Sequence, residues 1–136
     1  WQSSLLPLHL FVQALCMGSA FFISADSVVS LTAPLRTWAT YIFVLTLAVS
    51  LAITLLGEVL IPHASQTAAK AAKEMHSGKY ALFFWFGGII LGHMVPLLCI
   101  SLGGSLAANI AVVCAIAGLY FYEHAFVMAP QEIPNS

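Results

Sequence analysis

Five ionisable side chains stand inside or beside long apolar runs of this sequence, where they could carry protons. They are Asp26, Glu58, His93, Glu123 and His124, and His9 is a marginal sixth. A charge in the middle of a bilayer costs from roughly 3 to more than 10 kcal/mol, so acids and histidines at that depth usually face a protein interior and have a function there. Buried carboxylic acids and imidazoles can each accept and release a proton near neutral pH. The residue types therefore make these positions candidates for proton transfer.

Each candidate also has a structural explanation that the sequence leaves open. Glu58, Asp26 and the pair Glu123–His124 lie near the ends of apolar runs, where an acid can extend to water and a histidine can anchor at the interface. His93 lies deeper, where its ring could simply bond a helix carbonyl. Neighbouring residues on a helix point about 100° apart, so Glu123 and His124 cannot both face the same partner.

The composition is that of a protein surrounded by lipid. Of 136 residues, 61% are hydrophobic and 7% are charged, whereas a soluble domain carries about 25% charged residues. The four Lys and Arg residues and the net charge of −1 exclude a nucleic-acid partner. The three cysteines lie in apolar runs without a CxxC motif, so we expect neither a disulfide nor a metal site. No hydrolase, metalloprotease or nucleotide-binding motif is present, and we predict no catalytic residue.

Four apolar segments are long enough to cross a hydrocarbon layer, which takes about 20 helical residues. We therefore predict an all-α, polytopic membrane protein, with a four-helix transmembrane bundle forming a single domain over residues 1–136. The predicted spans are residues 5–31, 37–61, 79–101 and 105–128, with a short interfacial helix at 65–77 and an extended tail at 129–136.

Particular residues mark the breaks and contacts between these spans. Pro34 is predicted to end the first span and Pro62 the second, because the residue before a proline is driven out of helical geometry. Residues 102–104 form a tight link that makes the third and fourth spans antiparallel neighbours. Gly88 and Gly92 form a small-xxx-small pair, which allows a neighbouring helix to approach closely.

The distribution of Lys and Arg predicts the orientation of the bundle. Three of the four lie between residues 62 and 79, one lies in the first connection and none lies in the third. The positive-inside rule then places that connection and both termini on the cytoplasmic side of the cell membrane. Counting along the helices predicts a polar layer on this side, with Asp26 towards the opposite face and His93 between them. The layer comprises His9, Glu58, Glu123 and His124.

Three stretches of the chain resemble one known family. They are "WQSSLLPLHLFVQALCMGSA" at residues 1–20, the segment 57–99 with its G-x-Y, F-W and G-x-x-x-P elements, and "YEHAFVMAPQEIPNS" at residues 122–136. Their order and spacing are similar to those of the NrfD/PsrC family, the polytopic membrane subunits of polysulfide-reductase-like and related quinone-linked oxidoreductases. Members of that family have two four-helix bundles in tandem, and this chain resembles the second.

The resemblance implies a subunit that is not catalytic alone and has no redox metal of its own. Such a subunit exchanges electrons between membrane quinone and a partner that carries iron–sulfur clusters, which is joined to a catalytic oxidoreductase subunit and accompanied by other membrane subunits. The quinone pocket is usually associated with the first bundle, so no quinone site is assigned to these residues. The polar interior of the second bundle, a suspected proton route, corresponds here to Glu58, His93, Asp26, Glu123 and His124.

Two other functions remain open from the sequence. A four-helix bundle can hold haem b between histidines on facing helices, and His9 and His124 are predicted to share a level. Alternatively, the chain is a transporter fragment or a purely structural assembly subunit. We find no internal repeat of the kind many transporters show.

Overall fold

A computed structural model of the chain describes residues 5–133. This part contains only helices and connections, and four of the helices are long and apolar enough to cross a membrane. These four, called spans 1 to 4, are Leu6–Val29, Ala33–Leu60, Phe83–Leu102 and Ser105–Glu132. The predictions of an all-helical fold and of four apolar spans are confirmed.

Several of the spans change helix type along their length. The helices are α1 (Leu6–Val29), α2 (Ala33–Leu55) with a π-helical continuation (Leu56–Leu60), α3 (Gln66–Ser77), a π-helical segment (Phe83–Met94) that runs into α4 (Val95–Leu102), and α5 (Ser105–Met128) with a 3₁₀ turn (Ala129–Glu132). The turn occupies the start of the segment predicted as an extended tail, and residues 134–136 of that tail lie outside the described residues. The Ser65 side chain caps α3 by accepting a hydrogen bond from the Ala68 N–H at 3.1 Å.

The connection between spans 1 and 2 differs from the prediction. Span 1 ends because Ser30 adopts a left-handed conformation with φ of 52°, and Pro34 lies in the first turn of α2. Proline is well tolerated there, since first-turn N–H groups have no partner within the helix. The prediction that Pro34 ends span 1 is therefore wrong. At the end of span 2, Ile61 before Pro62 is extended, with φ of −86° and ψ of 135°, as predicted.

Spans 3 and 4 form an antiparallel pair in very close contact. Gly103 and Gly104 have φ of 75° and 86°, a conformation that residues with a side chain rarely adopt. Further along the pair, an added Cβ on Gly92 would lie 3.0 Å from the Gly118 Cα, and one on Gly118 would overlap the Gly92 backbone. The small-residue contact predicted from Gly88 and Gly92 is present.

The four spans form a ring in which each packs on the next and span 4 closes on span 1. We call the end covered by α3 the loop end and the end at residues 103–104 the glycine end. An apolar core fills the half of the bundle towards the glycine end; its members are Cys16, Ala20, Ile23, Ala39, Phe43, Leu47, Ala111, Val112 and Ala115. A second apolar cluster lies at the loop end and comprises Met75, Tyr80, Phe84, Ile89, Tyr122, Ala125 and Ala129.

The outside of the bundle carries large apolar side chains on every span. Examples that are more than 60% exposed are Phe21, Trp38, Phe86 and Val113. A monomer in water rarely exposes such a continuous apolar surface. This surface suits a multi-pass membrane protein and leaves the polar side chains to the interior.

A buried polar network at the centre of the bundle

A hydrogen-bonded polar network lies inside the bundle between the two apolar clusters. All four spans contribute to it, and most of its side chains are buried. The members joined by hydrogen bonds are His9 and Gln13 of span 1, Ser50 and Thr54 of span 2, His93 of span 3, and Tyr122 and Glu123 of span 4. Glu58 of span 2 is buried beside them and lines a cavity with His9 and Tyr122. Buried polar groups persist only where they find partners, so this network is a built feature of the interior.

Ser50 joins two histidines at the centre of this network. Its Oγ lies 3.1 Å from Nε2 of His9 and 3.2 Å from Nε2 of His93. Both rings are almost fully buried, with 4% and 8% of their surface exposed. Spans 1 and 3 lie diagonally across the ring, so the hydroxyl on span 2 is the link between their imidazoles.

The second ring nitrogen of His93 is bound to its own helix. Nδ1 lies 2.8 Å from the carbonyl oxygen of Gly88, five residues earlier. This stretch is π-helical, a helix type that appears frequently at functional sites, and it passes into α-helix close to Pro96, which has no N–H to donate. The bond to a helix carbonyl, which is the structural explanation considered for His93, is thus present. The other ring nitrogen, Nε2, nevertheless lies within hydrogen-bond distance of Ser50.

His9 is surrounded by polar groups on both sides of its ring. The Tyr122 hydroxyl lies 3.4 Å from its Nδ1, and the two rings pack edge to face with centroids 5.2 Å apart. Thr54 Oγ1 and Gln13 Nε2 each lie 3.4 Å from its Nε2. Gln13 also donates to the Glu123 carboxylate at 3.1 Å, so that acid is connected to the network through an amide.

Two small cavities adjoin the His9–Tyr122 pair. One, of about 20 Å³, is lined by Ser50, His93 and neighbouring side chains. The other, of about 10 Å³, is lined by Glu58. His9 and Tyr122 line both. About 10 to 15 Å³ is the least that a water molecule requires, so the first has room for one water and the second lies at the limit.

The network ends at His93 and does not continue towards the glycine end. The next hydroxyls in that direction, those of Ser19 and Thr46, donate to carbonyl oxygens of their own helices at 2.7 to 2.9 Å. Around them lies the apolar core that contains Phe43, which is fully buried. The polar route is thus one-sided, running from the loop end to the middle of the bundle.

Three of the five predicted candidates lie in or directly beside the network. Glu58 and His93 are buried, and Glu123 is partly buried beside Gln13. Asp26 lies at the other end of the bundle, where it pairs with Arg36 at 2.9 Å and accepts the Leu31 N–H at 2.8 Å. It joins the ends of spans 1 and 2 and is remote from the network.

His124 also lies outside the network. Its ring contacts the rings of Phe83, Tyr80 and Tyr120, with centroids 5.1 to 6.3 Å away. Glu123 turns instead towards span 1, which is the divergence expected of adjacent helical residues. The predicted polar layer therefore contains His9, Glu58 and Glu123, without His124.

Four members of the network were missed in the sequence, namely Gln13, Ser50, Thr54 and Tyr122. A spacing of four residues would have indicated three of them. His9 and Gln13 form one such pair, and Ser50, Thr54 and Glu58 form a stripe on span 2. Residues four apart share a helix face, so polar residues repeated at this interval in an apolar helix mark its interior side.

No family model, no curated protein and no solved structure matches this chain. The support for any function therefore comes from the geometry of the network and from the resemblance in the sequence. Within residues 5–133, no group of three His, Cys, Asp or Glu side chains is placed to hold a metal ion. Pockets for drug-sized ligands usually measure about 300 to 1,000 Å³, so neither of the two cavities described has room for a haem or a quinone ring.

Proposed function

We propose that this chain is an integral membrane subunit of a quinone-linked oxidoreductase complex of the NrfD/PsrC kind, and that its interior carries protons from the loop end to the middle of the bundle. The observation that supports the proton role is the hydrogen-bonded set of His9, Ser50 and His93, with a water-sized cavity between His9 and Glu58 and a second cavity beside Ser50 and His93. The complex and its quinone rest on the resemblance in the sequence.

In this proposal Glu58 is the entry point for protons. Glu58 lines the smaller cavity together with His9 and Tyr122, and the cavity lies at the loop end, near the start of span 1. A carboxyl group there can take a proton from water and pass it towards the His9 ring through one bridging water. The Gln13–Glu123 pair adds a second acid close to the same imidazole.

The quinone and the redox centres belong to other parts of the complex. Electrons pass between membrane quinone and the iron–sulfur subunit, which is joined to the catalytic subunit, and this chain supplies scaffold and a proton route beside them. We place the chain in the cell membrane as a multi-pass subunit with both termini on the cytoplasmic side, where the lysines of the loop end satisfy the positive-inside rule.

We place α3 at the membrane interface on that side. Ala71, Ala72 and Met75 of this helix are buried against the bundle, whereas Lys70 and Lys73 are exposed. A helix with one apolar and one basic face suits the headgroup region. The exposed lysines also suit an acidic surface of a partner subunit.

The proposal is tested by a matched pair of acid-to-amide variants in the intact complex. In vesicles that contain the purified complex, Glu58→Gln should lower quinol-driven proton translocation at least about tenfold, since it removes a proton-transfer group. Asp26→Asn makes the same chemical change outside the network and should leave translocation unchanged. Equal translocation by both variants and the native complex would contradict the role of Glu58 and favour a purely structural subunit.

The composition of the purified complex tests the partners. An iron–sulfur subunit and a catalytic subunit should co-purify with the tagged chain, and intact-mass measurement shows whether a first four-helix bundle belongs to the same polypeptide. A reduced-minus-oxidised haem spectrum assigned to this chain would favour the haem b anchor instead. His9 and His124, the pair considered for that role, have separate neighbours.

A further inference from the structure

We infer that the Ser50 hydroxyl is a proton relay between His9 and His93, and that a proton accepted by His9 on the side facing Tyr122 leaves on the side facing Ser50 and comes to rest on His93. The use of this relay in the complex rests on the proposed function. The relay itself follows from the hydrogen-bonding capacity of the three side chains, whatever the complex does.

The Gly88 carbonyl fixes the protonation of one ring nitrogen. A carbonyl oxygen can only accept, so Nδ1 of His93, 2.8 Å away, carries a proton. A neutral His93 then has a bare Nε2, which accepts from the Ser50 hydroxyl at 3.2 Å. The hydroxyl has one proton to give, so it must accept from His9. In this first arrangement, His9 carries its proton on Nε2, and its bare Nδ1 accepts from the Tyr122 hydroxyl.

The same atoms allow a second arrangement that contains one more proton. Here His93 is an imidazolium, with Nδ1 donating to Gly88 and Nε2 donating to Ser50. The Ser50 hydroxyl now donates to Nε2 of His9, and His9 carries its proton on Nδ1, facing the Tyr122 oxygen. The four contacts from Gly88 to His93, Ser50, His9 and Tyr122 each keep one donor and one acceptor in both arrangements.

The passage between the two arrangements balances without any further reactant. The Tyr122 hydroxyl turns its proton away from Nδ1 of His9, and a proton from water on the Glu58 side binds that nitrogen. The proton on Nε2 of His9 moves to Ser50 Oγ as the original hydroxyl proton moves to Nε2 of His93. One proton enters, three hydrogen bonds reverse (Tyr122–His9, His9–Ser50 and Ser50–His93), and one positive charge ends on His93. No electron is transferred and no group leaves.

The polar surroundings keep both arrangements accessible. Gln13 Nε2, 3.4 Å from Nε2 of His9, can donate to that nitrogen only when it is bare, which favours the second arrangement. The Thr54 hydroxyl, also at 3.4 Å, can accept in the first arrangement and donate in the second. The remaining ionisable groups near His9 are Glu58 across the small cavity, Glu123 through Gln13, and Tyr122.

The relay is tested by the protonation of individual ring nitrogens. In the native full-length protein, labelled with ¹⁵N-histidine and embedded in lipid bilayers, the signals are assigned by loss in His9→Gln and His93→Gln variants. At a pH where both rings are neutral, we expect His93 protonated on Nδ1 and His9 on Nε2. As His93 gains its second proton, His9 should change to the Nδ1 form at the same pH. A His9 ring that keeps its Nε2 proton through this step overturns the inference.

Variants of Ser50 give a second test of the relay. In Ser50→Ala the tautomer change of His9 should no longer follow the titration of His93, and exchange of the His93 ring protons with solvent should slow at least about tenfold. Ser50→Thr keeps a hydroxyl and should preserve the coupling. Thr46→Val is the matched control, because the Thr46 hydroxyl donates to carbonyls of its own helix and touches neither histidine. Coupling that persists in Ser50→Ala overturns the relay.

The two proposals fail in distinguishable ways. Coupled titration of the two histidines in a complex whose translocation is insensitive to Glu58→Gln would leave the relay in place and remove its proposed use. Uncoupled histidines in a complex that does depend on Glu58 would leave the proton role in place and require another path from His9.

Discussion

Replacing Gly118 by alanine should separate spans 3 and 4 and break the contact between His93 and Ser50. A Cβ at position 118 would overlap backbone atoms of Gly92, and it would lie 3.0 Å from the Gly87 carbonyl oxygen. Backbone on span 3 cannot move aside in the way that the end of a flexible side chain can. The clash is therefore relieved only by movement of one helix away from the other.

The size of this movement can be calculated from the distances between an added Cβ at position 118 and the backbone of Gly92. Ordinary van der Waals contact for a Cβ begins at about 3.4 Å, and the overlap with Gly92 lies below 2.5 Å, so the helices must part by at least about 1 Å. His93 follows Gly92 directly in the chain, and its Nε2–Ser50 distance of 3.2 Å has little room to grow before the hydrogen bond is lost. Overpacking of this kind typically destabilises by about 1 to 3 kcal/mol.

The assay compares Gly118→Ala with Gly18→Ala. The Gly18 position has no atom within 4 Å of an added Cβ, so alanine there should be neutral or stabilise its helix by up to about 1 kcal/mol. Unfolding free energies in detergent or bilayers measure the loss of stability. The coupled titration of His9 and His93 measures the loss of the contact between His93 and Ser50. Equal stability of the two variants, or coupling that survives in Gly118→Ala, would refute the close-contact reasoning.

Three further outcomes are expected at the two ends of the bundle. Asp26→Asn removes the charge that pairs with Arg36 but keeps an oxygen for the cap, so it should cost less than about 1 kcal/mol in unfolding free energy and less still in high salt. A hydrogen bond to Glu132 raises the pKa of Lys79 above its ordinary value of 10.5. The contact therefore stabilises the fold below that pH and is lost as the pH rises through the raised pKa; unfolding midpoints measured against pH should show this loss, and Lys79→Gln should abolish it. Gly103→Ala places a side chain at φ of 75° and ψ of 174° and should cost about 1 to 3 kcal/mol, whereas unchanged stability would show that the link is not strained by a Cβ.

The spans were predictable from the sequence because length and apolar composition decide them. Residues 5–31 and 105–128 were predicted, and Leu6–Val29 and Ser105–Met128 are helical. The error at Pro34 has a local cause. A proline both disfavours helix before it and begins helices well, and the left-handed turn at Ser30 had already ended span 1.

The membership of the network was predictable only in part. Burial of Glu58 and His93 follows from the cost of exposing such groups to lipid. The direction of the His124 side chain depends on the rotation of span 4 about its axis, and the pairing of Asp26 depends on the position of Arg36 on span 2. Neither can be found from the sequence of one helix alone. The four-residue repeat of Ser50 with Glu58 was present in the sequence, but its meaning required knowledge of which face turns inward.

The network reaches only one end of the bundle, and this limits the proton movement that the proposed function can include. A polar path open at both ends of a membrane bundle would let protons leak and would dissipate any gradient. Here the hydroxyls of Ser19 and Thr46 are held by their own helices, and Phe43 closes the interior, so a proton that reaches His93 has no polar partner ahead of it within the described bundle. The positive charge on that ring then acts through its electric field, which is strong in a region of low dielectric. In the proposed function, a route of this form would couple proton uptake at the loop end to a charge at mid-membrane, and it would complete a cycle only when a neighbouring part of the proposed complex offers an exit or an electron to match that charge.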